Sequence, residues 1–219
     1  MHGTIFDMDG VLVDSEPLWT RAEVEIFGAA GLPITPADTV QTRGLRITEV
    51  VDYWYLRWPA KASVPAKELA PAIIQRMVEL LHDEAVPCPG AIEAVTEASR
   101  VSTVALATSS PPPIIDAVLA RLGLRGHFSA VSSGENEPLG KPHPGVYLTT
   151  AARIGIPATA CIAVEDSVHG VVSAKAARMQ CIAVPEASQR QDPRFGIADC
   201  ILDSLEALSV ELLRELHRR

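Results

Sequence analysis

The sequence predicts an α/β protein: an open, doubly wound parallel sheet with a small helical domain inserted after the first strand. Three observations point there. Five short runs, apolar on both faces and partly β-branched, recur along the 219-residue chain, which is how parallel strands buried on both faces read. Helix-length stretches fill the intervals between the later runs, giving a β-α-β-α alternation. The first interval alone spans about 95 residues, where a parallel crossover needs only a dozen or so.

The first run, Gly3–Phe6, stops at a pair of acids, Asp7 and Asp9, followed by Gly10. Residues 16–31, 46–58 and 65–83 then read as helices, punctuated by prolines at 17, 33, 36, 59, 65, 87 and 89. The expected division is therefore a helical insert over residues 16–87 and a core over residues 1–15 and 88–219. The connectors would lie near 14–17 and 84–90. Six of the ten Phe, Trp and Tyr residues fall in residues 19–58, enough large rings to anchor a small helical core. A lid surface that touches a ligand is the other reading of that cluster. The later strands are expected at 103–107, 130–132, 161–164 and 181–184, with helices at 111–122, 143–154 and 167–178. The tail at 205–216 reads as an amphipathic helix packed on the sheet.

Composition narrows the function. Nineteen basic against 27 acidic residues give a net charge of −8, which argues against a nucleic-acid groove or a basic membrane face. No apolar run approaches the ~20 residues of a bilayer span. A strand-like run so near residue 1 leaves no space for a secretory leader. Cys88, Cys161, Cys181 and Cys200 have neither CxxC pairing nor histidine companions at zinc spacing. Reduced thiols in a cytoplasmic protein, monomeric and without nucleic-acid or membrane partners, are the expectation.

The chemistry-bearing residues collect at strand ends, where ligands bind in open α/β sheets. Asp7 and Asp9 close the first strand, and two carboxylates in one crevice repel unless a cation or a proton joins them. Thr108, Ser109 and Ser110 close the second; a hydroxyl followed by exposed amides can hold a phosphate-like oxygen. Lys141 stands between Gly140 and Pro142 on a stiff loop, where its ammonium can be aimed at a fixed anion. Glu165 and Asp166 close the fourth run. Four carboxylates at two strand ends suit a hard cation, and Mg²⁺ typically takes one or two carboxylates, waters and substrate phosphate. Acids, hydroxyl and lysine at one sheet edge form a set for phosphoryl transfer. No Walker loop, GxGxxG or GxSxG motif competes.

Asp7-Met-Asp9-Gly-Val, then Thr108, then Lys141-Pro-His-Pro, then Glu165-Asp166, in that order over the whole chain, resembles the haloacid dehalogenase superfamily, and the insert resembles its type-1 helical cap. Within it, the residue 6–19 segment, Gly44-Leu-Arg-Ile47, the residue 164–170 segment and the residue 174–179 segment are similar to the bacterial hexitol phosphatase and 2-deoxyglucose-6-phosphate phosphatase group, related to β-phosphoglucomutases. The resemblance implies Asp7 as a nucleophile forming an aspartyl-phosphate, and Asp9 as the acid and base. It implies Mg²⁺ held by Asp7, the main-chain carbonyl of Asp9 and Asp166, with Glu165 ligating directly or through water. It also implies Thr108 and the Ser109 amide on the phosphoryl oxygens, with Lys141 between Asp7 and phosphate. Arg43 and Arg46, flanking Gly44, would be contacts for the body of a small phosphorylated metabolite; Glu16 falls in the matching Ser-Glu stretch, its contact with substrate left open. β-Phosphoglucomutases carry a lysine and an asparagine shortly after the second-strand hydroxyl, where this chain has Ser110-Pro111-Pro112. That departure favours hydrolysis of sugar or sugar-alcohol phosphates over isomerisation. A phosphoglycolate-type phosphatase and a silent binding protein on the same fold are the remaining alternatives. Cap motion about the two connectors is expected.

Overall fold

A computed structural model describes residues 1–58 and 62–218; Pro59, one of the punctuating prolines, falls outside them. The described strands form one six-stranded parallel sheet in the order β3-β2-β1-β4-β5-β6. They are β1 (Gly3–Phe6), β2 (Thr103–Thr108), β3 (Val131–Ser133), β4 (Cys161–Glu165), β5 (Gln180–Ala183) and β6 (Cys200–Ile201). This is the doubly wound order, whose direction of winding reverses beside β1, between β1 and β4. In register, Phe6 lies beside Leu106 and Val164, so β4 ends one residue and β2 two residues beyond β1. β6 was not anticipated, since two residues against the end of β5 carry no periodicity to read.

Alternate residues of the central strands feed opposite faces. Phe6, Leu106, Val164 and Ile182 join one apolar cluster; Ile5, Ala105, Ala163 and Cys181 join the other. The helices α5 (Ala91–Ser99) and α6 (Pro112–Leu122) contribute to the first cluster, and α7 (Gly145–Arg153) and α8 (Val168–Ala176) to the second. α5 escaped the sequence reading because its buried positions, Ala91, Ala94, Val95 and Ala98, have helical spacing but little side chain. The tail is not one helix. A 3₁₀ turn at Leu205–Ala207 precedes α9 (Val210–Leu216), and the break falls where the Ser209 hydroxyl caps the new helix by accepting from the Leu212 amide at 3.2 Å. α9 meets α5.

The insert contains α1 (Glu16–Ala29), α2 (Pro36–Thr39), α3 (Ile47–Arg57) and α4 (Ala66–Glu84). α2 is a single turn, held by Asp38 reaching back to the amide and hydroxyl of Thr35. α4 packs on α1, α3 and the core helix α6, and one continuous apolar cluster runs from β1 through Trp54 and Phe27. Trp54 is buried, stacked on Trp58 and edge-on to Tyr53, so most of the ring cluster is packing. Trp19 is the exception and reaches the cavity described below. The connectors run antiparallel: the Asp14 amide donates to Val86 and the Cys88 amide to Leu12, both at 3.0 Å. Cys88, Cys161 and Cys181 are thiols outside any disulfide, Cys161 and Cys181 fully buried. Among the described residues no helix is long and apolar enough to cross a membrane.

Candidate active site

The site lies at the carboxyl ends of β1, β2 and β4. β1 pairing continues one residue beyond the strand, the Asp7 amide donating to Val164 at 2.9 Å, which points the chain into the crevice. The turn that follows needs Gly10: its φ is +71°, and a Cβ there would stand 2.0 Å from Asp166 Oδ2.

Asp9 sits in a basket of donors. Its Oδ1 accepts from the Ser15 hydroxyl at 2.6 Å and the Trp19 indole at 3.0 Å. Its Oδ2 accepts from Ser110 at 2.6 Å and, weakly, from Thr108 at 3.4 Å. These donors come from the connector, α1 and the β2 loop, so the carboxyl is fixed at the meeting of insert and core.

Lys141 is fully buried with its ammonium between two acids, 3.0 Å from Asp7 Oδ1 and 2.6 Å from Glu165 Oε1. Glu165 is in turn anchored on both oxygens. Oε1 also accepts from the Tyr147 hydroxyl at 2.7 Å, and Oε2 from the Asp166 amide, the Ser167 amide and the Ser167 hydroxyl. The Ser167 hydroxyl also caps α8 by accepting from the Gly170 amide.

Asp7, Glu165 and Asp166 are all buried and offer oxygens within 4.8 Å of one another. Burial is the main force on Asp7, whose carboxyl is pushed up to about 8 despite the nearby Lys141 ammonium. Burial, then Glu165 and Glu16, raise Asp166 well above the ordinary carboxylate range. A hard divalent cation relieves both at once, so the donor set fits Mg²⁺. Asp7 and Asp166 are the carboxylates best placed to ligate, because Glu165 already accepts from protein donors on both oxygens. The Asp9 side chain is not in this cluster, which leaves its main-chain carbonyl for the role the resemblance gives it.

The insert closes over these residues. Ser109 donates to the Gly44 carbonyl at 2.8 Å, and the His169 ring lies 3.0 Å from the Arg43 carbonyl. A cavity of about 50 Å³ remains, room for a few waters. Asp7, Asp9, Thr108 and Asp166 line it from the core, and Glu16, Trp19, Glu23 and Arg43 from the insert.

Residues 1–178 match the family description "haloacid dehalogenase-like hydrolase". The chain belongs to that family. Hexitol phosphatase B of Escherichia coli K12 is 42% identical over 209 residues, 94% of each chain. The fructose-1-phosphate phosphatase YqaB of the same organism is 31% identical over 185 residues, 83% of this chain and 95% of that one. Among solved structures, CbbY from Rhodobacter sphaeroides in complex with phosphate superposes with a TM-score of 0.85 at 28% identity, covering 95% of this chain and 96% of that one.

This haloacid dehalogenase-like hydrolase gathers Asp7, Asp9, Thr108, Lys141, Glu165 and Asp166 as one constellation. Arg43 and Arg46 part company. Arg43 is in the cavity wall, its Nε 2.7 Å from Glu16 and its Nη1 2.5 Å from Glu186 of the core. Burial pushes Glu16 up to about 7, with Arg43 opposing it. Arg46 instead donates to the carbonyls of Gly134 and Glu137 and pairs with Glu49, so it clasps insert to core, while its neighbours Leu45 and Ile47 line the cavity. Sequence reasoning missed Ser15 and Trp19 as partners of Asp9 and Tyr147 as the backing of Glu165, and it read Ser110 at the strand end without assigning it to Asp9. Of these, only Ser110, adjacent to Thr108-Ser109, carried a local signal.

The backing of Glu165 gives a direct test. A Cβ on Gly170 would stand 1.9 Å from the Glu165 carboxyl carbon, and Lys141 and Tyr147 leave that carboxyl no retreat. Gly170→Ala is expected to cost about 1–3 kcal/mol of stability, read by thermal melting, and to lower turnover by displacing Lys141.

Proposed function

We propose that the chain is a Mg²⁺-dependent phosphatase for small phosphorylated sugars or sugar alcohols, working through an aspartyl-phosphate on Asp7. The observation that carries this is the separation of two aspartates two residues apart into two environments. Asp7 lies against the Lys141 ammonium in the acidic cluster, and Asp9 lies in a basket of neutral donors. A nucleophile and an acid–base partner need that division. The names of the similar hexitol and fructose-1-phosphate phosphatases support the substrate class.

In the first step an Asp7 oxygen attacks phosphorus while the bond to the leaving alcohol breaks, and Asp9 delivers its proton to that alcohol. In the second step Asp9, now a carboxylate, takes a proton from water as the water oxygen attacks phosphorus; the acyl–phosphate bond breaks and Asp7 is restored. Thr108, the Ser109 amide and Lys141 hold the equatorial oxygens whose charge grows in each transition state. Bound at Asp7, Asp166 and the Asp9 carbonyl, with Glu165 beyond, Mg²⁺ would supply positive charge against the phosphoryl oxygens. Residues 16–87 act as the cap and residues 1–15 and 88–219 as the catalytic core, with the paired connectors as hinge. Closure by the residue 42–46 loop excludes water from the first step. A monomer is the assembly that this reading assigns. Unbridged thiols at Cys88, Cys161 and Cys181 fit a cytoplasmic setting.

The test is Mg²⁺-dependent phosphate release across sorbitol-6-phosphate, mannitol-1-phosphate, 2-deoxyglucose-6-phosphate, glucose-6-phosphate, β-glucose-1-phosphate and phosphoglycolate. Release favouring the six-carbon monoesters and lost with chelator is expected. Conversion of β-glucose-1-phosphate to glucose-6-phosphate without release, or activity confined to phosphoglycolate, would contradict the assignment.

A further inference from the structure

The mechanism leaves two acids of the cavity wall unused, Glu16 and Glu23; Glu16 is paired with Arg43, and Glu23 is not paired. It lies on α1 and is only 6% exposed. Its Oε2 is buried with no hydrogen-bond partner. Glu16, Thr20 and Glu23 step along one face of α1 at i, i+4 and i+7 and all line the cavity. Glu23 therefore stands two turns, about 10 Å, farther along the helix than Glu16. Around that end the cap offers hydroxyls, those of Thr20, Thr39 and Thr42. Thr20 and Thr39 lie 3.2 Å apart, and Thr42 donates to the Thr39 carbonyl.

A buried, unpaired carboxyl costs stability, a cost that a binding site carries when its ligand supplies the missing partner. The partner has to be a hydrogen-bonding group that arrives from the cavity, and the neighbouring hydroxyls mark it as polar and uncharged. Resting on the phosphatase reading above, we propose that Glu23 is a specificity-determining residue that hydrogen-bonds a hydroxyl of the substrate's polyol body. It thereby selects neutral polyol and sugar monophosphates over esters with a second anionic group. Burial first, then Glu16, push its carboxyl up to about 8. Near neutral pH it can thus both donate to and accept from a hydroxyl, while a carboxylate or second phosphate there would force one of two buried acids to stay protonated.

Sorbitol-6-phosphate and 6-phosphogluconate isolate the effect, since a terminal hydroxymethyl replaces a carboxylate on the same six-carbon frame. Wild type should prefer sorbitol-6-phosphate in kcat/KM, and both E23Q and E23A should shrink that preference ten-fold or more. Both variants should also melt higher than wild type, because an unpaired buried acid is removed; a merely structural Glu23 would give the opposite shift. p-Nitrophenyl phosphate, which has no polyol body, separates the two claims. If wild type hydrolyses it with Mg²⁺ while the variants keep the wild-type preference between the six-carbon esters, the role of Glu23 is overturned and the phosphatase reading stands. If wild type hydrolyses none of the three, the phosphatase reading falls and the role of Glu23 with it.

Discussion

Asp7→Asn is expected to lower kcat by about four orders of magnitude or more, the scale on which removal of a covalent nucleophile acts, while the protein stays folded. It is also expected to raise Tm without metal. The sign follows from the acid cluster. The Asp7 carboxyl is held at about 8 in the fold, against 3.8 as its ordinary value. Between those two pH values the unfolded chain ionises and the folded one resists, so the wild-type protein loses stability as pH rises. The asparagine variant escapes that loss. Its Tm advantage should therefore be small below about pH 4, grow through neutrality and level off above about pH 8. Mg²⁺ should reverse the ranking by binding the folded wild type and raising its Tm, a response that Asp7→Asn and Asp166→Asn should both blunt. Melting curves over pH, with and without Mg²⁺, check each part. An asparagine variant that turns over at the wild-type rate would remove the covalent mechanism.

Lys141→Met is expected to do the reverse for stability. The Lys141 ammonium lies between Asp7 and Glu165 with its side chain almost wholly buried, and burial of both acids is tolerable only with that charge in place. Removing one partner of a buried ion pair typically costs about 3–5 kcal/mol. For a chain of this size that is a fall in Tm of roughly 10 °C or more. Activity should be lost as well, and Mg²⁺ should recover part of the stability but none of the turnover. Lys141→Arg is not expected to rescue, because a planar guanidinium cannot occupy the point between Asp7 Oδ1, Glu165 Oε1 and the Ala107 carbonyl. The two variants thus separate the roles of neighbours 3.0 Å apart: one gains stability without metal, the other loses it.

Most of this site was legible because its chemistry sits at strand ends. Asp7, Thr108, Glu165 and Asp166 each close or directly follow a run whose apolar pattern marks a buried strand, and Lys141 is placed by the glycine and proline around it. The same logic could not find Ser15, Trp19 and Tyr147. Their contacts with Asp9 and Glu165 join residues 6 to 18 positions apart, and no local pattern distinguishes a ring that packs from one that donates. Trp19 and Trp54 look alike in sequence, yet one serves the site and the other the core. Arg43 and Arg46 show the same limit: three residues apart, one faces the cavity and the other the core carbonyls. In the fold, β6 and α2 were too short to carry a period, and α5 buries mainly alanine. The break before α9 could have been read from Ser209, which stands at an N-cap position within an apparently continuous amphipathic stretch.

In the proposed reaction, phosphate passes through Asp7. The most direct measurement is rapid acid quenching of the enzyme during turnover of labelled sorbitol-6-phosphate with Mg²⁺, followed by borohydride reduction and peptide mass spectrometry. A burst of label on the peptide containing Asp7 is expected, with conversion of that residue to homoserine on reduction and loss of both signals with chelator. Phosphate released at the full rate with no label on Asp7, or with label on another residue, would contradict that route.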